Sequence, residues 1–463
     1  MGTVTTSRYV AEYDAIAPKL PGQSLLWLQQ LRKDALAKFS DYGFPSPREE
    51  EWRYTNVSAI EKKLFAPVLG VVPQHNLQAI DSAWLKAQQL EDAWSVVLVN
   101  GHFMSELSVL DGLPDGVTII GMANALDAQV GAKVFAPLLE THLGRAVDNA
   151  EHGFVAFNTA WFTDGVLVHV PAKRVLAKPI QLLNIVTDDD VMATTRNLVI
   201  IAENAEAQVI ETYIDMDGVN ALSQSGTGPA NAYLTAAITE VFVGQNAQLT
   251  LYKLQLESEK AYHFGGTYVK QAKDARFTHH NFAFGGLLAR CDIHTDLDQA
   301  SECALNGLYL GVKRQHLDNH TRINHLKPHG ISRELYKGVL DDRARGAFQG
   351  RVIVAEDAQK TDSLMNNRNL LLSNEAEADT KPQLEIYADD VKCGHGVTVG
   401  QLDEKSIFYL QSRSVDEETA RNMLTFAFAN EMVDKIKIKS LHDKVLEQVL
   451  ARFPQEGVER DWL

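Results

Sequence analysis

Apolar positions change their spacing twice along this chain. After Pro21-Gly22, the residues Leu25, Leu28, Leu31, Ala35, Leu36 and Phe39 recur at helical spacing. Gly43 and Pro45 stop that helix. Ser46-Pro47-Arg48-Glu49 reads as a capping box with proline at the first helical position, leading into Trp52-Arg53-Tyr54-Thr55. The region 1–95 is therefore expected to be helical.

From about Val96 the texture becomes short runs of Val, Ile, Leu, Thr and Phe separated by Gly, Asn and Asp. Gly165-Val166-Leu167-Val168-His169-Val170-Pro171 and Leu249-Thr250-Leu251-Tyr252-Lys253-Leu254 are examples. Alternation and β-branching predict strands. No regular helical segment is read between them, which argues against a βαβ sheet. A weak repeat runs through the region. Ile200-Ile201-Ala202-Glu203-Asn204-Ala205 resembles Phe242-Val243-Gly244-Gln245-Asn246-Ala247 and Ile353-Val354-Ala355-Glu356-Asp357-Ala358. Ile386-Tyr387-Ala388-Asp389-Asp390-Val391 is a looser copy. Each joins an apolar strand end to an Asn or Asp that tolerates left-handed backbone. A strand-plus-turn unit without helices predicts a stacked β-solenoid, each coil buried against its neighbours. A β-sandwich is the competing arrangement.

The second change of spacing comes near Ser414. Ser414-Val415-Asp416-Glu417 reads as a capping box, followed by Ala420, Met423, Leu424, Ala427, Phe428, Val433 and Ile436 on one broad stripe. A second helix carries Leu441, Val445, Leu446, Val449 and Leu450. That stripe either caps the solenoid end or docks a partner. The chain thus divides into a helical region 1–95, a β core 96–412 and a helical region 413–463.

Charge narrows the partners. Lys and Arg total 44 against 60 Asp and Glu, a net charge of −16. Such a surface repels phosphate backbones and anionic lipid, so neither nucleic acid nor membrane is expected as a partner. Cys291, Cys303 and Cys393 form no C-x-x-C pair, which argues against a disulfide framework and for a reducing, cytoplasmic setting. No apolar run approaches the roughly 18 residues of a membrane span. Residues 1–20 lack the apolar core of a signal peptide.

Catalytic signatures are missing. The chain has no G-x-x-x-x-G-K-[ST], no G-x-S-x-G, no H-E-x-x-H and no glycine-rich dinucleotide fingerprint. His316, His320, His325 and His329 are dense enough to suggest zinc on a helical face. The interleaved Thr, Ile and Leu suggest strands instead, where residues four apart lie roughly 13 Å apart. Hydrogen-bonded structural histidines are the expectation. Of His279 and His280, adjacent on a strand, at most one faces inward.

Asp390-Val391-Lys392-Cys393-Gly394-His395-Gly396-Val397 carries the most chemistry. On an extended strand Cys393 and His395 share a face, and thiolate with imidazole suits iron or zinc. The flanking glycines are expected to open that face to an approaching group. Two ligands do not complete a site, so the others would come from elsewhere, such as another chain. A buried free cysteine beside a turn histidine is the plainer reading of the same spacing.

The run from Asn319 to Arg413 resembles the SufB/SufD family of iron–sulfur cluster assembly proteins. The resemblance rests on Asn319-His320-Thr321-Arg322-Ile323-Asn324-His325 and Ser332-Arg333-Glu334-Leu335-Tyr336-Lys337-Gly338. It continues in Asn367-Arg368-Asn369-Leu370-Leu371-Leu372-Ser373, Lys381-Pro382-Gln383-Leu384-Glu385-Ile386, the Cys393 region and Phe408-Tyr409-Leu410-Gln411-Ser412-Arg413. Leu410 stands where SufB-like members carry a cysteine, and Lys-Cys-Gly-His-Gly text is typical of the SufD-like branch. The resemblance implies a right-handed parallel β-helix between helical ends. It implies a non-enzymatic scaffold subunit that pairs with a SufB-like paralogue and binds a SufC-like ABC-type ATPase. That would fit the absent P-loop. It further implies a transient iron–sulfur cluster at the partner interface near His395, with Cys393 accessory and none tightly bound to the isolated chain. The ATPase would meet the C-terminal helical stripe of Met423, Leu424, Ala427 and Phe428.

Two other readings compete. A carbohydrate-active β-helix enzyme would need paired carboxylates, and Asp389-Asp390 face opposite ways on a strand. A homodimeric metal-binding β-helix protein would use the histidine-rich stretch.

Overall fold

A computed structural model describes residues 4–70, 72–129, 131–148, 152–216 and 231–452. Residues 1–3 and 453–463, the outer ends of the two helical regions, lie outside the described residues.

The predicted strands form, and they alternate between two sheets. One sheet runs from Thr118–Gly121 and Val166–Val170 through His316–His325 and Arg345–Val354 to Glu377–Ile386. The other runs from Trp94–Val99 through Ile331–Leu340 and Asp362–Leu371 to Lys392–Gly400. Every strand of the repeating part pairs in parallel with the strand two places on. Leu288 lies beside His316, 28 residues further, and Arg345 beside Glu377, 32 further. Only the first turns break the pattern, where Thr118–Gly121 and His102–Phe103 pair antiparallel. This is a parallel β-helix: each coil contributes one strand to each sheet and buries its inward side against the coils above and below.

The lumen is packed by alternate residues of every strand, among them Val199, Val241, Leu251, Phe277, Leu305, Tyr336, Phe348 and Met365. The turns use left-handed backbone, as expected at Asn204 and Asn246, with φ of 58° and 53°. The other two copies differ. Asp357 and Asp390 stay outside that region; Lys360 supplies the left-handed residue after the first of these copies.

Helices cover both outer faces. The N-terminal block sets Phe39, Phe44, Trp52, Phe154 and Phe157 against Leu234 and Phe264 of the first sheet. The C-terminal helices Glu417–Val433 and Lys439–Leu450 set Phe426, Ala429, Met432, Val445 and Val449 against Tyr252, Phe282, Leu308 and Val339 of the second. Each such side chain larger than alanine, fully buried, stabilises by about 1.5–3 kcal/mol. These helices therefore lie along the solenoid's side and do not cap its end.

Three expectations change. Gly131–His142 and Gly153–Trp161 are helices inside the range read as strands. Gly153–Trp161 is buried on every side, so it carries no amphipathic period for a sequence reading to detect. Ser46 does form half of a capping box, its amide donating to Glu49 Oε1 at 2.8 Å, but the box opens only a single 3₁₀ turn, Glu50–Trp52. Asp416, not Ser414, caps the C-terminal helix by accepting from the Thr419 amide at 2.9 Å. Ser414 has φ 68° and closes the preceding turn.

Candidate functional site

Lys392–Gly400 is the last strand of its sheet. It pairs with Asp362–Leu371 on one side and, among the described residues, with nothing on the other. Its register places Cys393 beside Ser363 and His395 beside Met365. Ser363 and Met365 are both buried and inward, so Cys393 and His395 continue the lumen columns to the solenoid's end. The expected shared face is present. Cys393 is half-buried against the core, while His395 is exposed. Burial pushes the Cys393 thiol up, with Asp362 adding to the rise, against a backbone hydrogen bond at Ser363.

The glycines act differently from expectation. Gly394 and Gly396 alternate with Cys393 and His395, so they thin the outer face and not the lumen face. A Cβ on Gly394 would meet only Leu364 at 3.8 Å, whereas one on Gly396 would lie 2.8 Å from Asn366 Oδ1.

Around this end the surface is apolar and open. Phe408 is 71% exposed and Tyr387 63%, and Tyr409, Val397, Val399 and Leu364 are exposed too. Leu410 is half-buried on the helix Glu404–Gln411. The first sheet also ends on an edge strand here, Glu377–Ile386. Among the described residues no three His, Cys, Asp or Glu side chains gather to hold a metal.

The helix Glu417–Val433 presents two apolar faces. Phe426, Ala429, Met432 and Val433 are buried on the sheet. Met423, Leu424 and Phe428 are half-buried and Ala427 is exposed. The apolar pattern did not reveal which face turns inward, because both faces are apolar. Leu424 and Phe428 border an open groove of about 340 Å³ with Leu370, Thr398 and Val399. The strand bearing Cys393 and His395 thus reaches the helix's outer face at its other end. Lys337 anchors that helix: its ammonium donates to the Phe428 carbonyl at 2.9 Å, pairs with Glu431 and lies 4.3 Å from the Phe428 ring centre.

Three histidines of the dense stretch are bonded within the fold, and His329 is exposed at a turn. His316 hydrogen-bonds Thr55 at 2.9 Å, His320 meets Asp318 at 3.1 Å, and His325 meets Ser332 at 2.9 Å. His279 and His280 point to opposite sides of their strand, yet both are buried, because the C-terminal helices cover the outer side. His280 stacks on Tyr252 there. Asp390, half of the carboxylate pair that glycoside chemistry would need, is ion-paired to Lys360 at a turn.

Sequence reasoning missed a buried charge network. Arg290 donates to Asp292 at 2.8 Å and to the Glu51 carbonyl at 2.7 Å, and its guanidinium lies 3.5 Å over Trp52. Asp292 also meets His152 at 3.0 Å. Burial alone would raise the Asp318 carboxyl, but His320 and Arg290 hold it down at about 2. The network fastens the N-terminal block to the first sheet. Its signal was charged residues at alternate positions of Leu288–Leu297, whose covering partners are distant in sequence.

Comparison with known proteins agrees with this architecture. Residues 184–428 match the family described as "SUF system FeS cluster assembly, SufBD core domain", and residues 3–182 match "SufBD protein N-terminal region". The chain is 32% identical over 450 residues to the iron–sulfur cluster assembly protein SufD of Escherichia coli, covering 96% of this chain and 95% of that one. It is 32% identical over 426 residues to an iron–sulfur cluster assembly SufBD family protein of Synechocystis, covering 91% and 90%. SufD of Bacillus subtilis is 24% identical over 446 residues, 92% of this chain and 94% of that one. With a parallel β-helix ending on Cys393 and His395, and both family regions matched across its length, the chain belongs to the SufBD family of iron–sulfur cluster assembly proteins, on its SufD-type branch.

Proposed function

We propose that this chain is a non-enzymatic scaffold subunit of a cytoplasmic iron–sulfur assembly complex. It pairs with a SufB-like paralogue at the open end of the solenoid and binds a SufC-like ATPase through Met423, Leu424, Ala427 and Phe428. The nascent cluster is cargo, held transiently between the two paralogues with His395 as a ligand and Cys393 as an accessory. None stays tightly bound to the isolated chain. One observation carries the reading: the final strand continues two lumen columns into solvent as Cys393 and His395, beside unpaired edges and exposed aromatic side chains. A thiol and an imidazole supply two ligands, and a facing chain is needed for the rest. Unpaired edges of this kind accept another chain's strands.

The test is purification of the tagged chain from its own cell, with identification of the proteins that accompany it. A paralogue and an ATPase in fixed proportion support the reading. A chain that purifies alone, or that hydrolyses ATP unaided, overturns it.

A further inference from the structure

Behind Cys393 the lumen holds a run of polar side chains that packing alone does not require. His325 ends its strand, Ser332 is the second residue of the next one after the turn, and Ser363 lies one coil on. All three are buried, His325 completely. His325 Nε2 lies 2.9 Å from Ser332 Oγ, and Ser332 Oγ donates to Ser363 Oγ at 2.8 Å. Register then sets Ser363 beside Cys393. Adjacent strands are about 4.8 Å apart, so the Ser363 hydroxyl and the Cys393 sulfur are neighbours in one column.

Each serine hydroxyl has one hydrogen to give. In the arrangement that serves Cys393, His325 Nε2 donates to Ser332 and Ser332 to Ser363. Burial holds the imidazole pKa down at about 4, so the ring is neutral and the other nitrogen, Nδ1, carries a lone pair. Nδ1 has no hydrogen-bond partner. It is covered by Gly330, where a Cβ would come within 2.5 Å of it. The ring is therefore seated for its Nε2 side only. In that arrangement the donors run towards the open end, and the hydrogen left over is that of Ser363, beside Cys393 in the register. Aligned donors polarise one another, and donors aimed at a sulfur stabilise it when it carries negative charge.

We propose that His325, Ser332 and Ser363 form a buried donor chain that hydrogen-bonds the Cys393 sulfur while that sulfur holds iron. The three are positioning residues that act through Cys393. The chain strengthens and orients this ligand from inside the solenoid, and the partner protein approaches from outside. The inference rests on the proposed cluster-assembly role of Cys393 and adds the groups that support it.

The experiment compares cluster content, by visible absorption and circular dichroism, in the intact complex purified without oxygen. Four versions are needed besides wild type: Ser363→Ala, Ser363→Thr, Cys393→Ala and the Ser363→Ala/Cys393→Ala pair. Ser363→Ala is expected to lower cluster content by up to the loss seen with Cys393→Ala, and to shift the dichroism of the cluster that remains. Ser363→Thr, which keeps the hydroxyl, restores both. In the Cys393→Ala background Ser363→Ala has no further effect, the mark of two residues acting as one unit. Wild-type content in Ser363→Ala, with a loss in Cys393→Ala, overturns the donor chain and leaves the Cys393 reading standing. An equal loss from Ser363→Ala in both backgrounds also overturns it, since the serine then acts on the fold. Wild-type content in Cys393→Ala overturns the role of Cys393 and the donor chain together.

Discussion

His395 and Cys393 share a face but not an environment. The imidazole stands in solvent at the solenoid's end, and the thiol is half-withdrawn and kept protonated by burial. Only the imidazole is fully open to an iron ion arriving from outside. His395→Ala is therefore expected to lower cluster content in the complex by about tenfold or more, the scale of effect typical of metal-site residues. Cys393→Ala is expected to cause a smaller loss. His395 contributes no buried contact, so complex formation and melting temperature stay at wild-type values; the same preparations report both. Glu334 offers a second residue-scale test. Burial pushes its carboxyl up to about 8, so the folded chain keeps a proton there that the unfolded chain releases above about 4.5. Between those values the folded state binds more protons, and stability falls as pH rises. Glu334→Gln is expected to raise the melting temperature at pH 8 and to leave it nearly unchanged at pH 4.5, as scanning calorimetry at both pH values will show.

At the scale of elements, the helix Glu417–Val433 packs one side on the sheet and leaves the other, the proposed ATPase-binding side, outward. Phe426, Ala429 and Met432 hold it to the sheet, and Ala427 faces outward. Ala427→Glu is expected to change unfolding free energy by less than about 0.5 kcal/mol, as surface changes do, while abolishing co-purification of the ATPase. Lys337→Met should behave in the opposite way. It removes the ammonium's bonds to the Phe428 carbonyl and to Glu431 and costs about 1–3 kcal/mol in urea unfolding, with the ATPase still recruited. Cutting the chain before this helix would be uninformative, because the apolar outer face of the second sheet would be stripped bare.

For the molecule as a whole, histidines buried as neutral rings weaken the fold in acid, against the opposite contribution of Glu334. Burial lowers His280 and His325 from 6.5 to about 4, and His263, His279 and His316 shift the same way. Lys435 and Lys437 add to the shift at His280. Below about pH 6.5 the unfolded chain takes up protons that the folded chain refuses, so stability falls as pH drops towards 4. His280 and His325 each account for up to about 3 kcal/mol of that loss. Chemical denaturation at pH 7 and pH 5 is expected to show a marked drop in unfolding free energy at the lower pH. A flat profile would mean that these rings are hydrated in the native state.

Patterning alone carried the strand content, the repeat, the helical ends and the shared face of Cys393 and His395, because period-2 alternation and turn residues are local properties. The same local code was silent where burial is complete on every side. Gly153–Trp161 showed no helical period, and the outer faces of both sheets looked like any apolar strand until helices distant in sequence were laid on them. Which face of Glu417–Val433 turns inward, which side the glycines beside His395 thin, and where the Arg290 network closes were decided by packing between segments far apart in the chain. The tertiary structure alone also aligned Ser332, Ser363 and Cys393. Successive coils must stack in register to pair their backbones, and a column of side chains exists only once they do.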